Sequence, residues 1–445
     1  MIKRNILNEL IEWKESDNRK PLVLRGARQV GKTTVVNEFA KEFEVYLTLN
    51  LEKVKDRELF DQYTEIHKLL PAIYLHNKAR IENRPTLLFI DEIQYSGKAV
   101  SMLRYFYEEA SHIHVIAAGS MLEALLSHEK ISFPVGRVGY LPIRPCNFIE
   151  FLDGIEESFD KELILSLNTE PVHQRIMDYY REYALVGGMP EAITQYLKMR
   201  DILAVESVYR SLLASYIDDA EKYADSESQI QILRHILKVG WKMAAESVVF
   251  ENFGGSSFRS RDVGNAFRTL QKAFILELIY PVSQTKQPLL QNYRKKPKLF
   301  LLDTGLVNYY SQIQSDVFSS KDIQDVWRGR IAEHIVGQEI MCLDNSILAE
   351  RYIWRRDKAG SDAEVDFLYS YKGNVIPIEV KTGHNSKLKS LHLFMSDAPH
   401  DIGVRVWSEK FSVDKVKTPH GKEFRLINLP FYYVCVLDKI LSRFV

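Results

Sequence analysis

The sequence predicts an α/β protein whose amino-terminal part is a parallel sheet covered by helices. Five short apolar runs alternate with stretches of helical periodicity, which is typical of parallel strands joined by helices. A glycine-rich turn follows the first run and two acids follow the third, at the sheet edge where such folds bind ligands. The predicted strands are 21–24, 45–49, 86–90, 113–118 and 138–143, after a predicted helix at 2–15.

The glycine-rich turn has the pattern of a phosphate-binding loop, G-x-x-x-x-G-K-T, between a strand and a predicted helix at 33–43. Glycine lets backbone N–H groups wrap phosphate oxygens, and the helix start adds its positive dipole end. Lys32 would contact the β/γ-phosphates and Thr33 would hold Mg²⁺. The alternative is an ordinary turn before a helix. The residues expected to bind the nucleotide are Gly26, Ala27, Arg28, Gln29, Val30, Gly31, Lys32, Thr33 and Thr34.

Two acids end the third apolar run. Asp91 is placed to support Mg²⁺, and Glu92 is placed to polarise an attacking water. A purely structural role for both acids is the alternative. Together with the glycine-rich loop, they indicate a nucleoside triphosphate site.

Two further residues are candidates for the same site. Ser120 follows the fourth run and would either sense the γ-phosphate or only cap a helix predicted at 121–126. Arg137 precedes the fifth run and would either stabilise charge on a neighbouring subunit's nucleotide or lie on the surface.

Composition indicates a protein of the cytoplasm. The 445 residues suit about three domains, and 59 basic and 59 acidic residues cancel, so any nucleic-acid surface must be local. Three widely spaced cysteines suit a reducing compartment. The amino terminus does not have the pattern of a signal peptide, and no apolar run approaches the ~20 residues needed to cross a bilayer.

After a mainly helical stretch from about residue 148 to 243, the order helix, strand, basic loop, strand predicts a winged-helix module. The helix is predicted at 261–278, the strands at 276–282 and 299–302, and the loop at 286–298. DNA binding, protein docking and no partner all remain open for this module. Its candidate phosphate contacts are Arg259, Arg261, Arg268, Arg294, Lys295, Lys296 and Lys298.

The last third contains a second candidate site. A predicted hairpin would bring together Asp366, Glu379 and Lys381, and a predicted helix at 326–341 would add Glu333. Carboxylates can coordinate a divalent cation, while a lysine can orient water or neutralise charge. Metal-dependent nuclease chemistry, a nuclease-like fold used for binding, and a plain surface hairpin are the three interpretations. Further basic residues are candidates for contacts to a nucleic-acid backbone: Arg351, Arg355, Arg356, Lys387 and Lys389.

The chain as a whole resembles the bacterial and archaeal AAA+-superfamily ATPases that join a P-loop domain to a winged-helix and nuclease-like region. The resemblance implies ATP binding and hydrolysis with Lys32, Thr33, Asp91 and Glu92 in the usual roles. It also implies a carboxyl-terminal α/β fold of the restriction-endonuclease type, written PD-(D/E)xK, although Ala363-Glu364-Val365 stand where a proline is expected. The segments that carry the resemblance are 24–34, 89–94, 118–120, 136–137, 187–191, 302–306 and 378–383.

The expected organisation is a P-loop domain at 1–145, a helical region at 146–225, a winged helix at 226–320 and a nuclease-like domain at 321–445. The expected function is an ATP-driven, DNA-associated enzyme that uses Mg²⁺, with a second divalent cation between Asp366 and Glu379. The alternatives are an ATP-gated switch that binds nucleic acid or protein, and a remodelling motor whose tail only clamps. A homo-oligomer is compatible with each of these functions, and no membrane partner is expected.

Overall fold

The computed structural model of the protein describes residues 2–119, 134, 136–222, 224, 226–312, 329–358, 360–382 and 387–445. Within these residues, the first five strands form a parallel sheet in the order β5-β1-β4-β3-β2. The predicted parallel sheet is therefore confirmed, with strand ends that differ by at most one residue. The strands are β1 (Leu22–Arg25), β2 (Val45–Asn50), β3 (Thr86–Asp91), β4 (His114–Ala118) and β5 (Gly139–Pro142).

Helices cover both faces of this sheet because its strands are apolar on both sides. In β1, Leu22 and Leu24 pack into one core, whereas Val23 packs into the other. Such double burial is characteristic of parallel strands. The helices are α1 (Ile6–Glu15), α2 (Lys32–Phe39), α3 (Val54–Gln62), α4 (Ile66–His76) and α5 (Gly97–Glu109).

A mainly helical region follows, as predicted. Its first helix begins with a capping box, in which Asn147 accepts a hydrogen bond from the Glu150 N–H and Glu150 accepts one from the Asn147 N–H. The helices are α6 (Phe148–Gly154), α7 (Ser158–Ser166), α8 (His173–Val186), α9 (Pro190–Met199), α10 (Glu206–Glu221) and α11 (Glu227–Val239).

The next segment has the predicted order of helix, strand, loop and strand, but its helix is shorter than predicted. Phe274 has φ of 60°, a left-handed conformation that ends the helix, so the apolar residues after it form a strand. Strand β6 pairs antiparallel with β8, whereas β7 joins the sheet of the last third. The elements are α12 (Ser260–Lys272), β6 (Leu276–Ile279), β7 (Pro281–Val282), β8 (Lys298–Leu301) and α13 (Thr304–Tyr310).

The last third, called the tail here (residues 329–445), contains a mixed sheet. In the described part of the chain its order is β13-β14-β12-β11-β10-β9-β7, and the predicted hairpin is the antiparallel pair β10 and β11. The elements are α14 (Gly329–Met341), β9 (Tyr352–Arg355), β10 (Glu364–Tyr371), β11 (Asn374–Val380), α15 (Lys389–Asp397), β12 (Ile402–Trp407), β13 (Ser412–Lys417), β14 (Glu423–Pro430) and α16 (Leu437–Leu441). Short 3₁₀ turns lie at Ala40–Glu42, Ile93–Tyr95, Glu170–Val172, Leu203–Val205, Gly240–Met243, Phe253–Gly255 and Phe431–Val436.

One buried carboxylate joins these regions. Asp303 accepts hydrogen bonds from the Gly188 N–H at 2.5 Å and the Leu306 N–H at 3.2 Å. The Gly188 carbonyl in turn accepts from the Cys146 N–H at 2.7 Å. Burial raises the pKa of Asp303 to about 6, although the backbone N–H groups oppose that shift. The loop at Gly187 and Gly188 therefore connects the end of the first sheet to the segment before α13.

A second buried acid, Glu339, lies where α14 packs on the helical region. Its Oε1 accepts from the Phe148 N–H at 3.1 Å and from the Tyr183 hydroxyl at 2.6 Å. Its Oε2 has no hydrogen-bond partner among the described residues. Burial raises the pKa of Glu339 from 4.5 to about 8, so the folded protein keeps a proton there that the unfolded chain releases.

We expect Glu339→Gln to reduce the loss of stability that the protein shows as pH rises from 5 to 8. The raised pKa of Glu339 lowers wild-type stability as pH rises from about 4.5 to about 8, since the folded state binds more protons in that window. A neutral amide removes this loss. The free energy of unfolding of the variant, relative to wild type, should therefore rise by on the order of 3 kcal/mol from pH 5 to pH 8. Urea denaturation at both pH values measures it. The exposed Glu12→Gln is the matched control, and equal pH dependence in wild type and Glu339→Gln would refute the assignment.

Candidate functional site

The glycine-rich loop lies between β1 and α2, and its glycines are required by its shape. Gly26 has φ of 149°, and a Cβ there would lie 2.1 Å from the Ile143 carbonyl oxygen. Gly31 has φ of 94° and stands at the N-cap of α2, in the left-handed region that favours glycine. The backbone thus enters the helix through a tight turn, as the sequence predicts for a phosphate-binding loop.

Lys32 and Thr33 follow this turn. The buried Lys32 ammonium donates to the carbonyls of Gly26 at 3.0 Å and Ala27 at 2.8 Å. Burial lowers the pKa of Lys32 to about 8, although Glu92 and Asp91 oppose that shift. The Thr33 hydroxyl donates to Asp91 Oδ2 at 2.8 Å. The structure therefore brings together the two oxygen donors predicted for Mg²⁺, and their chemistry fits that ion.

Glu92 lies beside this pair and is held by a residue that sequence reasoning left without a role. Glu92 has φ of 50° and accepts a hydrogen bond from the Gln94 side-chain amide. Burial raises the pKa of Glu92, whereas the Gln94 bond lowers it. The spacing of Glu92 and Gln94 in the Asp-Glu-x-Gln segment is the signal that could have identified Gln94.

The loop is also tied to distant parts of the chain, which the sequence did not indicate. Arg28 forms an ion pair with Asp219 of α10 at 2.7 Å, and the Tyr216 hydroxyl donates to the Arg28 carbonyl at 3.1 Å. Arg4, before α1, donates to the Val30 carbonyl at 2.8 Å. The loop backbone is therefore held from two sides.

The two further candidates have different outcomes. Ser120, with the helix predicted after it, lies outside the described residues. Arg137 forms an exposed ion pair with Glu108 of α5 at 2.8 Å. Its action on a neighbouring subunit's nucleotide stays a prediction.

The tail hairpin does bring its predicted residues together. Asp366 Oδ2 accepts from the Val380 N–H at 2.7 Å, and Lys381 pairs with Glu379 at 2.8 Å. Burial raises the pKa values of Asp366 and Glu379. Glu379 is 4% exposed, and its Oε2 has no hydrogen-bond partner within the described ranges.

The third predicted metal ligand, Glu333, is bound to a cation of the protein itself. Lys298 of β8 contacts Glu333 and lies 2.5 Å from Glu364 and 4.0 Å from Asp366. Burial would lower the pKa of Lys298, but these carboxylates raise it above its usual range. Within the described ranges, no three His, Cys, Asp or Glu side chains form a metal-binding group. The implied divalent cation therefore does not fit this arrangement.

Three of the predicted basic contacts are engaged inside the protein. Lys298, expected in an exposed basic loop, is only 5% exposed. Arg351 pairs with Glu277 at 2.6 Å, and Arg355 pairs with Glu364. The expectation that Lys298 contacts phosphate was wrong, because acids distant in sequence surround it. The loop residues Arg294, Lys295 and Lys296 are exposed, as are Arg259, Arg261 and Arg268.

Comparison with known families agrees with this geometry. A family described as AAA domain matches residues 18–152. Two families described as domains of unknown function, DUF8612 and DUF4143, match residues 177–317 and 328–432. The amino-terminal domain is therefore of the AAA-type P-loop ATPase class. A comparison with curated proteins finds no significant match.

Two solved structures are similar at low identity. The Walker-type ATPase paby2304 of Pyrococcus abyssi is 15% identical over 70% of this chain and 96% of that chain, with a TM-score of 0.43. The Aeropyrum pernix ORC2 protein is 14% identical over 71% of this chain and 92% of that chain, with a TM-score of 0.36. None of the described helices combines the length and the apolar composition needed to span a bilayer.

Proposed function

We propose that the protein hydrolyses ATP with Mg²⁺ and uses the nucleotide state to control binding to DNA. The observation that carries this proposal is the contact of Thr33 with Asp91 at 2.8 Å beside the Lys32 ammonium. In this proposal, Thr33 and Asp91 are the cation-binding pair and Lys32 binds phosphate, near the carboxyl ends of β1 and β3. The match of residues 18–152 to an AAA domain supports the same activity.

Each residue has a distinct role in this proposal. Lys32 exchanges the carbonyls of Gly26 and Ala27 for phosphate oxygens, while Thr33 and Asp91 hold the cation. Bound Mg²⁺ supplies positive charge that offsets the charge developing on the phosphates. Glu92 accepts a proton from the attacking water at its carboxylate.

Lys32→Ala should abolish nucleotide binding. Losing two charge-assisted bonds to phosphate should raise the Kd for ATP by about 100-fold or more. Isothermal titration calorimetry of ATP into the folded protein measures it. The matched control is Lys41→Ala, which removes an exposed lysine paired with Glu38. Wild-type ATP affinity in Lys32→Ala would sink the assignment of the loop.

Gln94→Leu should move the acid limb of the kcat profile to higher pH. Burial raises the pKa of Glu92 and the Gln94 amide opposes that rise, so loss of the amide raises the pKa further. Glu92 would then need a higher pH to ionise, and the limb should shift upward by about 0.5–1 pH unit. Phosphate release measured across pH tests this.

The surface Gln62→Leu is the control for the same chemical change. A limb that does not move, in a Gln94→Leu protein that still binds ATP, would contradict a role for Gln94 in supporting Glu92.

DNA association is proposed for α12 and the basic loop after β7. On α12, Arg261, Asn265, Arg268 and Lys272 are all exposed. Their spacing of four, three and four residues places them along one face of the helix. A polar and basic helix face of this kind suits contacts to a nucleic-acid backbone. The order of helix α12, strand β6, basic loop and strand β8 is the order expected of a winged helix, and it supports the proposal.

The double variant Arg261→Glu with Arg268→Glu should weaken DNA binding by about tenfold or more at low salt. The slope of log K against log salt should also fall by about 2, one for each phosphate contact removed. Fluorescence anisotropy with a labelled duplex measures both. Lys78→Glu with Arg80→Glu, at exposed positions in the amino-terminal domain, is the matched control. Equal losses in both double variants would exclude a specific role for α12.

The tail is proposed to bind nucleic acid or protein rather than to cleave nucleic acid. Its hairpin has the residues that the sequence suggested for a nuclease, but Lys298 contacts Glu333 and Glu364. This supports the interpretation of a nuclease-like fold used for binding.

A further inference from the structure

Lys298 lies outside the tail in sequence, but its side chain is buried among acidic residues of the tail. It is the first residue of β8, and β8 pairs with β6 rather than with the tail sheet. Its side chain is buried and reaches α14 at Glu333 and β10 at Glu364 and Asp366. A single ammonium therefore bridges two elements of the tail.

The charges around Lys298 are nearly balanced by the protein itself. The acid cluster consists of Glu333, Glu364, Asp366 and Glu379. Among the residues that the structure describes, three cations face it: Lys298, Arg355, which pairs with Glu364, and Lys381, which pairs with Glu379. Burying carboxylates without counter-charges is very costly, so these cations are needed for the fold.

We propose that the Lys298 ammonium is the resident cation of the acid cluster and excludes a divalent metal ion from it. This proposal rests on the proposed function in one respect, that the tail binds without cleaving. It goes beyond that function by assigning the position of a metal to an amino-acid side chain. It also predicts that the cluster becomes a metal site once this side chain is removed.

Geometry and charge both favour exclusion. Mg²⁺ and Mn²⁺ need several oxygen donors arranged around a single point, at roughly 2.0–2.2 Å for Mg²⁺. The Lys298 nitrogen already lies among three of the four carboxylates, at 2.5 Å from Glu364 and 4.0 Å from Asp366. A divalent cation at the same point would meet a like charge at contact distance. The unpartnered Glu379 Oε2 is a donor left over for a metal if Lys298 is absent.

The strand that carries Lys298 is firmly held, so the exclusion is built into the fold. The Leu299 N–H donates to the Glu246 carbonyl at 2.9 Å. Arg355 donates to the Lys296 carbonyl at 2.6 Å and to the Ser247 hydroxyl. Together with the Lys298 ion pairs, the Arg355 contact to the Lys296 carbonyl holds the start of β8 against the tail.

Mn²⁺ binding to the full-length, nucleotide-free protein tests the proposal. Wild type should show no Mn²⁺ site that depends on Asp366. Lys298→Met, which keeps the length of the chain but not its charge, should bind Mn²⁺ about tenfold or more tightly than wild type. Adding Asp366→Asn to this variant should remove the gain. Calorimetry measures the binding. The control is Lys296→Met, at an exposed position in the loop before β8, and it should behave as wild type.

Thermal denaturation supplies a second readout. Lys298→Met should lower Tm by about 5 °C or more because unpaired buried carboxylates remain, and Mn²⁺ should restore part of the loss. Adding Glu333→Gln should restore part of it without metal, by removing one of those charges. If Lys298→Met folds only when Mn²⁺ is present, that result would also support the proposal.

Three results would overturn it. One is an Asp366-dependent Mn²⁺ site in wild type as tight as in Lys298→Met. Another is a folded Lys298→Met protein with no Mn²⁺ site. The third applies if Lys298→Met alone never folds: the double variant Lys298→Met with Glu333→Gln folds but binds no Mn²⁺. Because no nucleotide is present, failure here is distinct from failure of the Lys32→Ala test.

Discussion

The buried carboxylate of Asp303 is the contact on which the arrangement of the regions depends. It receives N–H groups from Gly188 and Leu306, while the Gly188 carbonyl receives the Cys146 N–H. A Cβ on Gly188 would lie 2.2 Å from the Cys146 oxygen, so only glycine allows this approach. The segment after β5, the helical region and the segment before α13 thus meet at one polar point, whose buried groups must all be satisfied.

Buried charges occur at two other places where described regions meet. Arg4 joins Val30 of the nucleotide loop to Glu150 of α6, and Lys298 joins β8 to the tail. A buried ion pair adds little net stability, because desolvation offsets most of the attraction. Removing one partner is costly, however, since the other charge is left unpaired. These pairs therefore specify one arrangement of the regions and penalise all others.

Local patterns were sufficient to predict the sheet, the loop and the hairpin, because strand burial, glycine turns and alternation are local properties. The helix predicted over 261–278 ended early because the positive φ of Phe274 is not visible in an apolar run. The role of Lys298 could not be predicted, because Glu333 and Glu364 lie 35 and 66 positions away in sequence. A basic residue in a basic segment has the pattern of an exposed contact, and only tertiary packing shows that it is buried.

In the glycine-rich loop, a bound triphosphate would compete with backbone carbonyls of the protein for the Lys32 ammonium. The loop carbonyls at Gly26 and Ala27 accept from Lys32, the Arg28 carbonyl accepts from Tyr216, and the Val30 carbonyl accepts from Arg4. A triphosphate that drew Lys32 away from the Gly26 and Ala27 carbonyls would change the contacts of a loop that α10 and the amino-terminal segment also hold. Because α10 packs against α11, and α11 against α12, the proposed DNA-binding helix lies two packed helices from the loop. In the proposed function, the charge of a bound triphosphate would bias the position of α12 through these packed helices.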